Sequence, residues 1–468
     1  MKLHTFRMGG VHPEENKLTA ESPTKVAELP KVAIFPLSQH IGAPAKAVVS
    51  RGDKVKVGTL LAEAGGFVSA SVYSSVSGTV AKIDTSIDAT GYRQPVIFIN
   101  VEGDEWEPSI DRSEQVETLD GHPELTPEEI VSRIKNAGVT GMGGAGFPTH
   151  VKLCPPPTAK AECVIINAVE CEPYITSDYR LMMEHPDEIL VGVELLMKAA
   201  KVDKAYIGIE ENKPEAIRLL TDKTQGRTDI KVVPLAQKYP QGGEKQLVDA
   251  VIHRQVPAPP AIPVNVGAIV QNVGTAFATY QAVMKRKPLF ERYTTVTGKQ
   301  VKHPGNFLVR MGTPFSQLID ACGGLPDGDN KVLAGGPMMG KAVLSLDVPV
   351  CKGTNSITVL TGADAHRKSI QPCIRCGKCV EVCPMGLEPY LLATLSSVKK
   401  YDRLEQEDVV SCIACGSCQF TCPSHRPLLD NISNGKAVVM GAIRARAAKA
   451  KAATASPTAQ NGSSAAAK

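Results

Sequence analysis

The sequence predicts a multidomain chain of mixed α/β and α+β architecture that closes on a small, helical, cysteine-held domain. Three observations lead there. A four-cysteine run occurs twice near the C-terminus, helix-like and strand-like patterns alternate over residues 126–290, and short β-branched runs broken by glycine flank that region on both sides. A chain of 468 residues has room for about three or four domains. Its 43% hydrophobic content is ordinary for globular cores. The net charge of +4 is too small to point to nucleic acid. No apolar run reaches the roughly 18–20 residues that span a bilayer. The longest candidate, 188–200, is broken by Glu194 and Lys198. No signal peptide opens the chain, so a reducing compartment is expected. The expected protein is soluble or peripheral.

Residues 1–35 are polar, with Gly9-Gly10 and several prolines, and read as an arm. From residue 36 to 100, short β-branched runs are punctuated by Gly52-Asp53, Gly58, Gly65-Gly66 and Ser77-Gly78, an all-β pattern with tight turns. The order Gly-Asp-x-Val-x-x-Gly-x-x-Leu-Ala-Glu over 52–63, then Ser-Gly-x-Val over 77–80, resembles a biotinyl/lipoyl-type barrel sandwich. Such domains carry a modifiable lysine on the hairpin between their halves. Gly65-Gly66-Phe67 stands there, so no swinging arm is expected. With the acidic, proline-containing linker that begins at 101, this domain is placed at 36–125.

Thr126, Pro127 and Glu129 predict a helix start with a capping box. Strands are then expected at 163–168, 205–209 and 230–235, and helices at 188–200 (amphipathic), 213–224, 244–253 and 272–285. This alternation predicts a layered α/β domain over 126–290. Residues 291–362 return to short strands at 293–297, 306–309 and 356–360 around a helix near 314–322, a small α+β unit. Residues 363–435 hold both cysteine runs, with a helical stretch at 389–400 between them. The remainder, 436–468, is an Ala/Lys-rich tail that begins helical and is disordered by composition. Its Arg444, Arg446, Lys449 and Lys451 suit either an anionic membrane or acidic partner, or plain solvation.

Three loops in the α/β region carry candidate chemistry. Residues 141–149 read Gly-Met-Gly-Gly-Ala-Gly-Phe-Pro-Thr. They contain G-x-G-x-x-G, but a dinucleotide fingerprint needs a strand before it, and a helix precedes it here. Glycines still leave space for a flat ring or a phosphate, with backbone N–H groups free to form an anion nest. A tight loop between packed helices is the competing reading. Asn167-Ala168-Val169-Glu170-Cys171-Glu172-Pro173 follows a predicted strand, and α/β sheets bind ligands at strand C-termini. Tyr239-Pro240-Gln241-Gly242-Gly243-Glu244-Lys245 opens a helix, as phosphate or ribose contacts require. A plain loop and a plain helix cap are the respective alternatives.

The cysteine runs are Cys373, Cys376, Cys379, Cys383-Pro and Cys412, Cys415, Cys418, Cys422-Pro. The C-x2-C-x2-C-x3-C-P spacing presents soft thiolates to [4Fe–4S] clusters. Paired C-x2-C motifs also bind zinc, but the third Cys and the proline favour iron–sulfur. The runs resemble those of bacterial ferredoxins, in which the fourth Cys serves the other run's cluster. That implies Cys373, Cys376, Cys379 and Cys422 for one cluster, and Cys412, Cys415, Cys418 and Cys383 for the second. Cys154, Cys163, Cys171, Cys322 and Cys351 are given no ligand role.

Gly-x-Gly-Gly-Ala-Gly-Phe-Pro-Thr, Asn-x-x-Glu-x-Glu-Pro, Tyr-x-x-Gly-x-Glu and Gln271-Asn272-x-x-Thr275 occur in the order seen in the NADH-binding flavoprotein subunit of respiratory complex I. With the barrel sandwich before them, two ferredoxin-type runs after them, and the opening Thr-Phe-Arg-Met-Gly-Gly-Val-His-Pro (5–13), the chain resembles the RnfC (RsxC) family of Rnf electron-transport complexes over residues 1 to 435. The resemblance implies a complex-I-flavoprotein-like FMN/NAD(H) domain at 126–290, a β-grasp (soluble-ligand-binding-like) domain at 291–362 and a two-cluster ferredoxin-like domain at 363–435. It implies non-covalent FMN held by Gly141, Gly143, Gly144, Gly146, Lys152, Asn167, Glu170, Tyr239, Gly242, Gly243, Asn272 and Thr275. It implies NAD(H) over Phe147, with Glu172 and Glu244 nearby and no acid–base residue needed. Val169, Gly243 and Gly274 stand where the complex I pattern has acidic residues.

The same resemblance implies an NAD(H)-dependent flavin/iron–sulfur oxidoreductase, the translocase's nicotinamide module. It would sit on the cytoplasmic face of the inner membrane through partner subunits, without nucleic acid. Two other readings are a cobalamin reductase of the propanediol-utilisation type, whose barrel sandwich follows its clusters, and an electron-relay or scaffold subunit without NAD(H) binding.

Overall fold

The computed structural model describes residues 2–454. Residues 2–368 form one compact unit and the residues from Ser369 onward a second.

The centre of the first unit is a four-stranded parallel sheet of Ile230–Leu235, Ala205–Glu210, Cys163–Asn167 and Ala268–Asn272, in that spatial order. The chain starts at Cys163–Asn167, adds two strands on one side, then crosses to the other side for Ala268–Asn272. The order therefore reverses between Cys163–Asn167 and Ala268–Asn272. The strand Ala268–Asn272 is additional to the sequence expectation, which has only a helix at 272–285. The chain turns at Asn272, whose Oδ1 accepts the Gly274 N–H at 2.9 Å and caps Val273–Val283. The helix Pro186–Ala200 is buried on nearly every side rather than amphipathic, with Gly192 so close to Ala276 that a Cβ would lie 2.0 Å from its carbonyl oxygen. The Pro127–Asn136 helix starts as expected, with Thr126 Oγ1 accepting the Glu129 N–H at 3.2 Å. The other half of the capping box is absent. Glu129 accepts instead from Arg133 Nε at 2.8 Å, one turn on, a favourable i,i+4 ion pair.

The barrel sandwich packs the sheet Val32–Pro36, Arg93–Gly103, Ser77–Ile87 and Lys54–Val55 against Lys46–Ala47, Leu60–Glu63 and Val72–Tyr73. Phe35, Leu61, Val76, Val80, Ile97 and Ile99 fill it. The β-grasp unit is a six-stranded mixed sheet crossed by the helix Phe315–Ala321.

Residues 1–35 are not a free arm. Val32–Pro36 is the first strand of the barrel sandwich, and Thr24–Val26 pairs in parallel with Gly305–Arg310 at the edge of the β-grasp sheet. Upstream, His4 bridges to Leu235 and Val11 to Tyr239. Upstream of Val32, low hydrophobicity conceals these pairings, because edge pairing is carried by backbone groups and leaves little side-chain signature.

In the second unit, Pro389–Ser397, Tyr401–Gln406 and Leu428–Thr454 pack around Leu392, Leu404, Val409, Leu428 and Ile432. The tail from 436 thus continues this last helix, and residues 455–468 lie outside those described. Gly435 sits at the crossing. A Cβ there would lie 2.5 Å from both Leu404 Cδ2 and Ser396 Oγ. We expect Gly435→Val to destabilise this unit by about 3 kcal/mol through overpacking. Iron content and the thermal transition should both fall while bound flavin is kept. Unchanged iron would contradict the expectation.

Candidate flavin site and cluster centres

The reversal in strand order places a crevice between the C-terminal ends of Cys163–Asn167 and Ala268–Asn272, where doubly wound sheets bind ligands. Asn167 and Asn272 are register partners at that point. The three loops singled out in the sequence converge here. The glycine loop closes on itself through Gly141 N–H to Phe147 O at 2.7 Å. It is tied to the crevice by Met142 N–H to Thr275 Oγ1 at 2.9 Å. Gly144 has φ +114° and Gly146 φ +63°, a region where glycine alone is unstrained. Asn167 Nδ2 donates to Gly242 O at 2.8 Å, joining the strand end to the Tyr239 loop. Lys152 Nζ contacts Glu244 Oε1 at 2.6 Å and Val270 O at 3.1 Å. It therefore lies at the N-terminus of the helix Glu244–Ile252.

The residues fit a flat ring bearing a phosphate. A Cβ on Gly143 would touch Asn272 Cβ at 3.4 Å, and one on Gly242 would meet Cys171 Sγ at 3.3 Å. On Gly243 it would meet Gln246 Oε1 at 2.5 Å and the Pro240 carbonyl oxygen at 3.1 Å. Among the described residues, the buried Gln241 Nε2 and both amide atoms of Gln271 have no protein partner, and such groups normally find one.

The two implied carboxylates of the 167–173 loop are taken by backbone N–H groups elsewhere in the protein. Glu170 (φ +48°) accepts the Asp178 and Tyr179 N–H groups at 2.7 and 3.3 Å, capping Ser177–Glu184. Burial pushes its carboxyl up to about 7, opposed by Lys17. Glu172 Oε1 accepts from Met338 and Met339 N–H at 2.7 and 3.0 Å, so it is held by the β-grasp loop.

Sequence reasoning misses the cations beneath these loops. Lys17 Nζ donates to the carbonyls of Glu170, Glu172 and Ile175 at 2.8, 3.0 and 2.7 Å. Lys213 Nζ takes the Val169 carbonyl at 2.8 Å. The carbonyls of Val169, Glu170, Glu172 and Ile175 thus turn toward two ammonium groups. Among the described residues, no protein acceptor takes the N–H groups of Glu170, Cys171 and Glu172. Burial pushes the Lys17 ammonium down, and the Lys213 charge adds to it. Arg292, 2% exposed, donates to Met142 O at 2.6 Å, Lys352 O at 2.7 Å and Thr354 O at 3.0 Å, pinning the glycine loop to the β-grasp unit. Lys17 lies about 150 residues from the loop it holds, and a lone lysine in a polar stretch carries no local signal.

The cysteine runs fold as a repeated pair. Arg375 and Ala414 have φ +55° and +54°, and Gly377 and Gly416 φ +77° and +82°. Non-glycine residues rarely adopt this region. Here it turns backbone N–H groups onto sulfur, as for Ala414 N to Cys412 Sγ at 3.4 Å and for Arg375 onto Cys373. The neighbourhoods are crossed. Cys379 has Cys422 and Cys373 beside it. Cys418 has Cys415, Cys412 and Cys383, with Cys379 beyond. Cys383, Cys412, Cys415 and Cys418 line one cavity walled by Leu387, Leu392 and Ile432. Among the described residues no three such side chains converge tightly enough for a lone metal ion. Burial pushes the thiols of Cys412, Cys415 and Cys418 up, so iron is needed to hold them as thiolates.

Family models match in the same order: an RnfC barrel sandwich hybrid domain at 4–104, a Nuo51 FMN-binding domain at 134–281, an SLBB domain at 293–342 and a 4Fe-4S dicluster domain at 372–426. The C component of the proton-translocating ferredoxin:NAD+ oxidoreductase complex of Clostridium ljungdahlii is 44% identical over 86% of this chain and 87% of its own length. The chain belongs to the RnfC family. The C component of the Na+-translocating complex of Acetobacterium woodii is 41% identical, covering 95% of this chain and 99% of its own. Its counterpart in the ion-translocating oxidoreductase complex of Rhodobacter capsulatus is 41% identical over 83% and 75%. A NAD+-reducing [NiFe]-hydrogenase aligns at 20% identity and TM-score 0.47 over 70% of this chain and 62% of its own, too distant to add to the assignment. As an RnfC family member, the chain is an oxidoreductase subunit with an FMN-binding domain and a dicluster domain, as its motifs implied. Among the described residues no helix is long and apolar enough to cross a membrane.

Proposed function

We propose that this chain is the nicotinamide module of a membrane-bound ferredoxin:NAD+ oxidoreductase, lying on the cytoplasmic face through partner subunits. The observation that carries the reading is one chain holding both a flavin crevice at a strand-order reversal and two crossed thiol sets. When bound, FMN would supply hydride exchange with NAD(H) on one side and single electrons on the other, matching the one-electron clusters.

The chain's part is to bind and orient. Gly141, Gly143, Gly144, Gly146, Gly242 and Gly243 give close backbone approach. Asn167, Glu170, Tyr239, Asn272 and Thr275 shape the crevice floor. Lys152 at a helix N-terminus would meet the phosphate. Phe147 would give the nicotinamide a stacking face, with Glu244 as a further contact. Glu172, held by Met338 and Met339, orders the β-grasp wall before it can serve NAD(H). The cobalamin reductase reading loses support because the barrel sandwich precedes the clusters. The relay or scaffold reading is separated by NADH titration of the flavin absorbance, which would show no bleaching.

Anaerobically purified protein should carry about eight iron atoms and one FMN, and should reduce dyes with NADH. Absence of FMN, or about four iron atoms or fewer, would sink the proposal.

A further inference from the structure

A carboxylate at the crevice belongs to none of the flavin motifs. Asp178, half-buried, is the second residue of the helix Ser177–Glu184. Its Oδ2 accepts from Asn272 Nδ2 at 2.7 Å. Asn272 is held from its other side as well, since its Oδ1 accepts the Gly274 N–H at 2.9 Å. The second Nδ2 hydrogen goes to Asn167 O at 3.4 Å. A carboxylate accepts and a backbone N–H donates, so these two neighbours fix which way the amide points. Both donor hydrogens of Asn272 are then spent, and one lone pair on Oδ1 remains. The charged groups around Asp178 are Glu170, Arg292, Lys213 and Lys17. The Arg292 N–H groups go to three carbonyls, so Arg292 favours the carboxylate without orienting it. Asp178, Arg292, Met142 and Gly274 line one cavity of about 30 Å³. A Cβ on Gly274 would lie 3.0 Å from Asn272 Oδ1 and 3.7 Å from Asp178 Oδ1, so glycine at 274 leaves both oxygens uncovered on that side.

We infer that Asp178 is a positioning residue of the flavin site: it locks Asn272 so that the amide oxygen is the side-chain group left for the cofactor, and Asn272 takes a hydrogen-bond donor of FMN and gives none. This rests on the flavin reading above. FMN carries such donors at the N3–H of its ring and at its ribityl hydroxyls. A carbonyl or phosphate oxygen of FMN would find no donor on this side chain. Without Asp178, the Gly274 N–H alone would hold the amide, and its donor end would be free to turn toward the crevice. Burial pushes the Asp178 carboxyl up, opposed first by Arg292. Oδ2 can accept in either protonation state, so the role does not depend on titration.

The test uses the full-length protein with its clusters in place, freed of FMN and titrated with FMN by fluorescence. The thermal transition of each apoprotein is recorded alongside. Asp178→Ala should weaken FMN binding at least about tenfold. Asp178→Asn keeps an oxygen for Asn272 and should stay within about threefold of the wild type. Asn272→Asp sets two acceptors against each other and should weaken binding at least about tenfold. Asp178→Asn combined with Asn272→Asp should recover most of that loss, because the exchanged pair again turns an oxygen toward FMN. Independent losses would add instead. 3-Methyl-FMN separates the two donors. Weak wild-type binding that Asp178→Ala does not weaken further assigns the contact to the ring N3–H, and full sensitivity to Asp178→Ala assigns it to a ribityl hydroxyl. A lowered thermal transition with unchanged FMN affinity in Asp178→Ala makes the pair purely structural and overturns the inference. So does a double variant no better than Asn272→Asp. No FMN binding by the wild-type apoprotein would overturn the flavin reading itself, and this inference with it.

Discussion

Cys383→Ala is expected to remove the cluster of the second run and leave the cluster of the first. Cys383 lies in the first run, so sequence adjacency predicts the opposite. The fold argues otherwise, because Cys383 lines the cavity with Cys412, Cys415 and Cys418. Losing one of four thiolates from a buried set leaves an open iron site among apolar walls and a cluster prone to loss. Iron should fall by about half, and the resonance signal that survives should be the one abolished by Cys422→Ala. The two substitutions form a reciprocal pair. If Cys383→Ala spares the signal that depends on Cys412, the crossed assignment is wrong. Bound FMN should be unaffected in both variants, since the flavin crevice lies in the other unit.

Lys17→Met should carry the second large effect. It strips one ammonium from three carbonyls, Glu170 O, Glu172 O and Ile175 O. A charge-assisted hydrogen bond contributes about 1.5–3 kcal/mol, and acceptors left unpaired add a desolvation cost. Lys17 is half-buried, so a net loss of roughly 3 kcal/mol is expected. The consequence reaches the cofactor because the same peptide units border the crevice. FMN affinity, read by fluorescence titration of the apoprotein, should weaken by at least about tenfold, the equivalent of about 1.4 kcal/mol. Lys17→Arg keeps the charge but presents a planar fork to three converging carbonyls, and should restore FMN binding in part. A stability loss with unchanged FMN affinity would make Lys17 a structural pin only.

Much of the architecture is legible in the sequence because its signals are local. The Cys-Pro runs, the glycine loop and the capped helix after Thr126 are short, and each demands particular residues at particular spacings. The strand Ile230–Leu235 has the ends its sequence predicts, because β-branched residues bounded by polar turns leave little choice. The strand Ala268–Asn272 is hidden because it runs straight into a helix, with Asn272 serving both as its last residue and as the helix cap. The first 35 residues are hidden for another reason. Their pairings with Leu235, Tyr239 and Gly305–Arg310 are made by backbone atoms, which any sequence can offer.

Sequence alone pointed to the chemistry: iron–sulfur clusters from the cysteine spacing, and FMN from the glycine-rich motifs. These depend on side-chain type and spacing within a few residues. Tertiary structure decided the context. It set Asn167 opposite Asn272 at the strand-order reversal and brought Lys17 under a loop far away in the chain. It turned Glu172 to Met338 and Met339, and left one cysteine run exposed while burying its twin. Each of these joins groups distant in sequence through carbonyls, N–H groups or burial. Such partners are chosen by packing, and no local pattern records the choice.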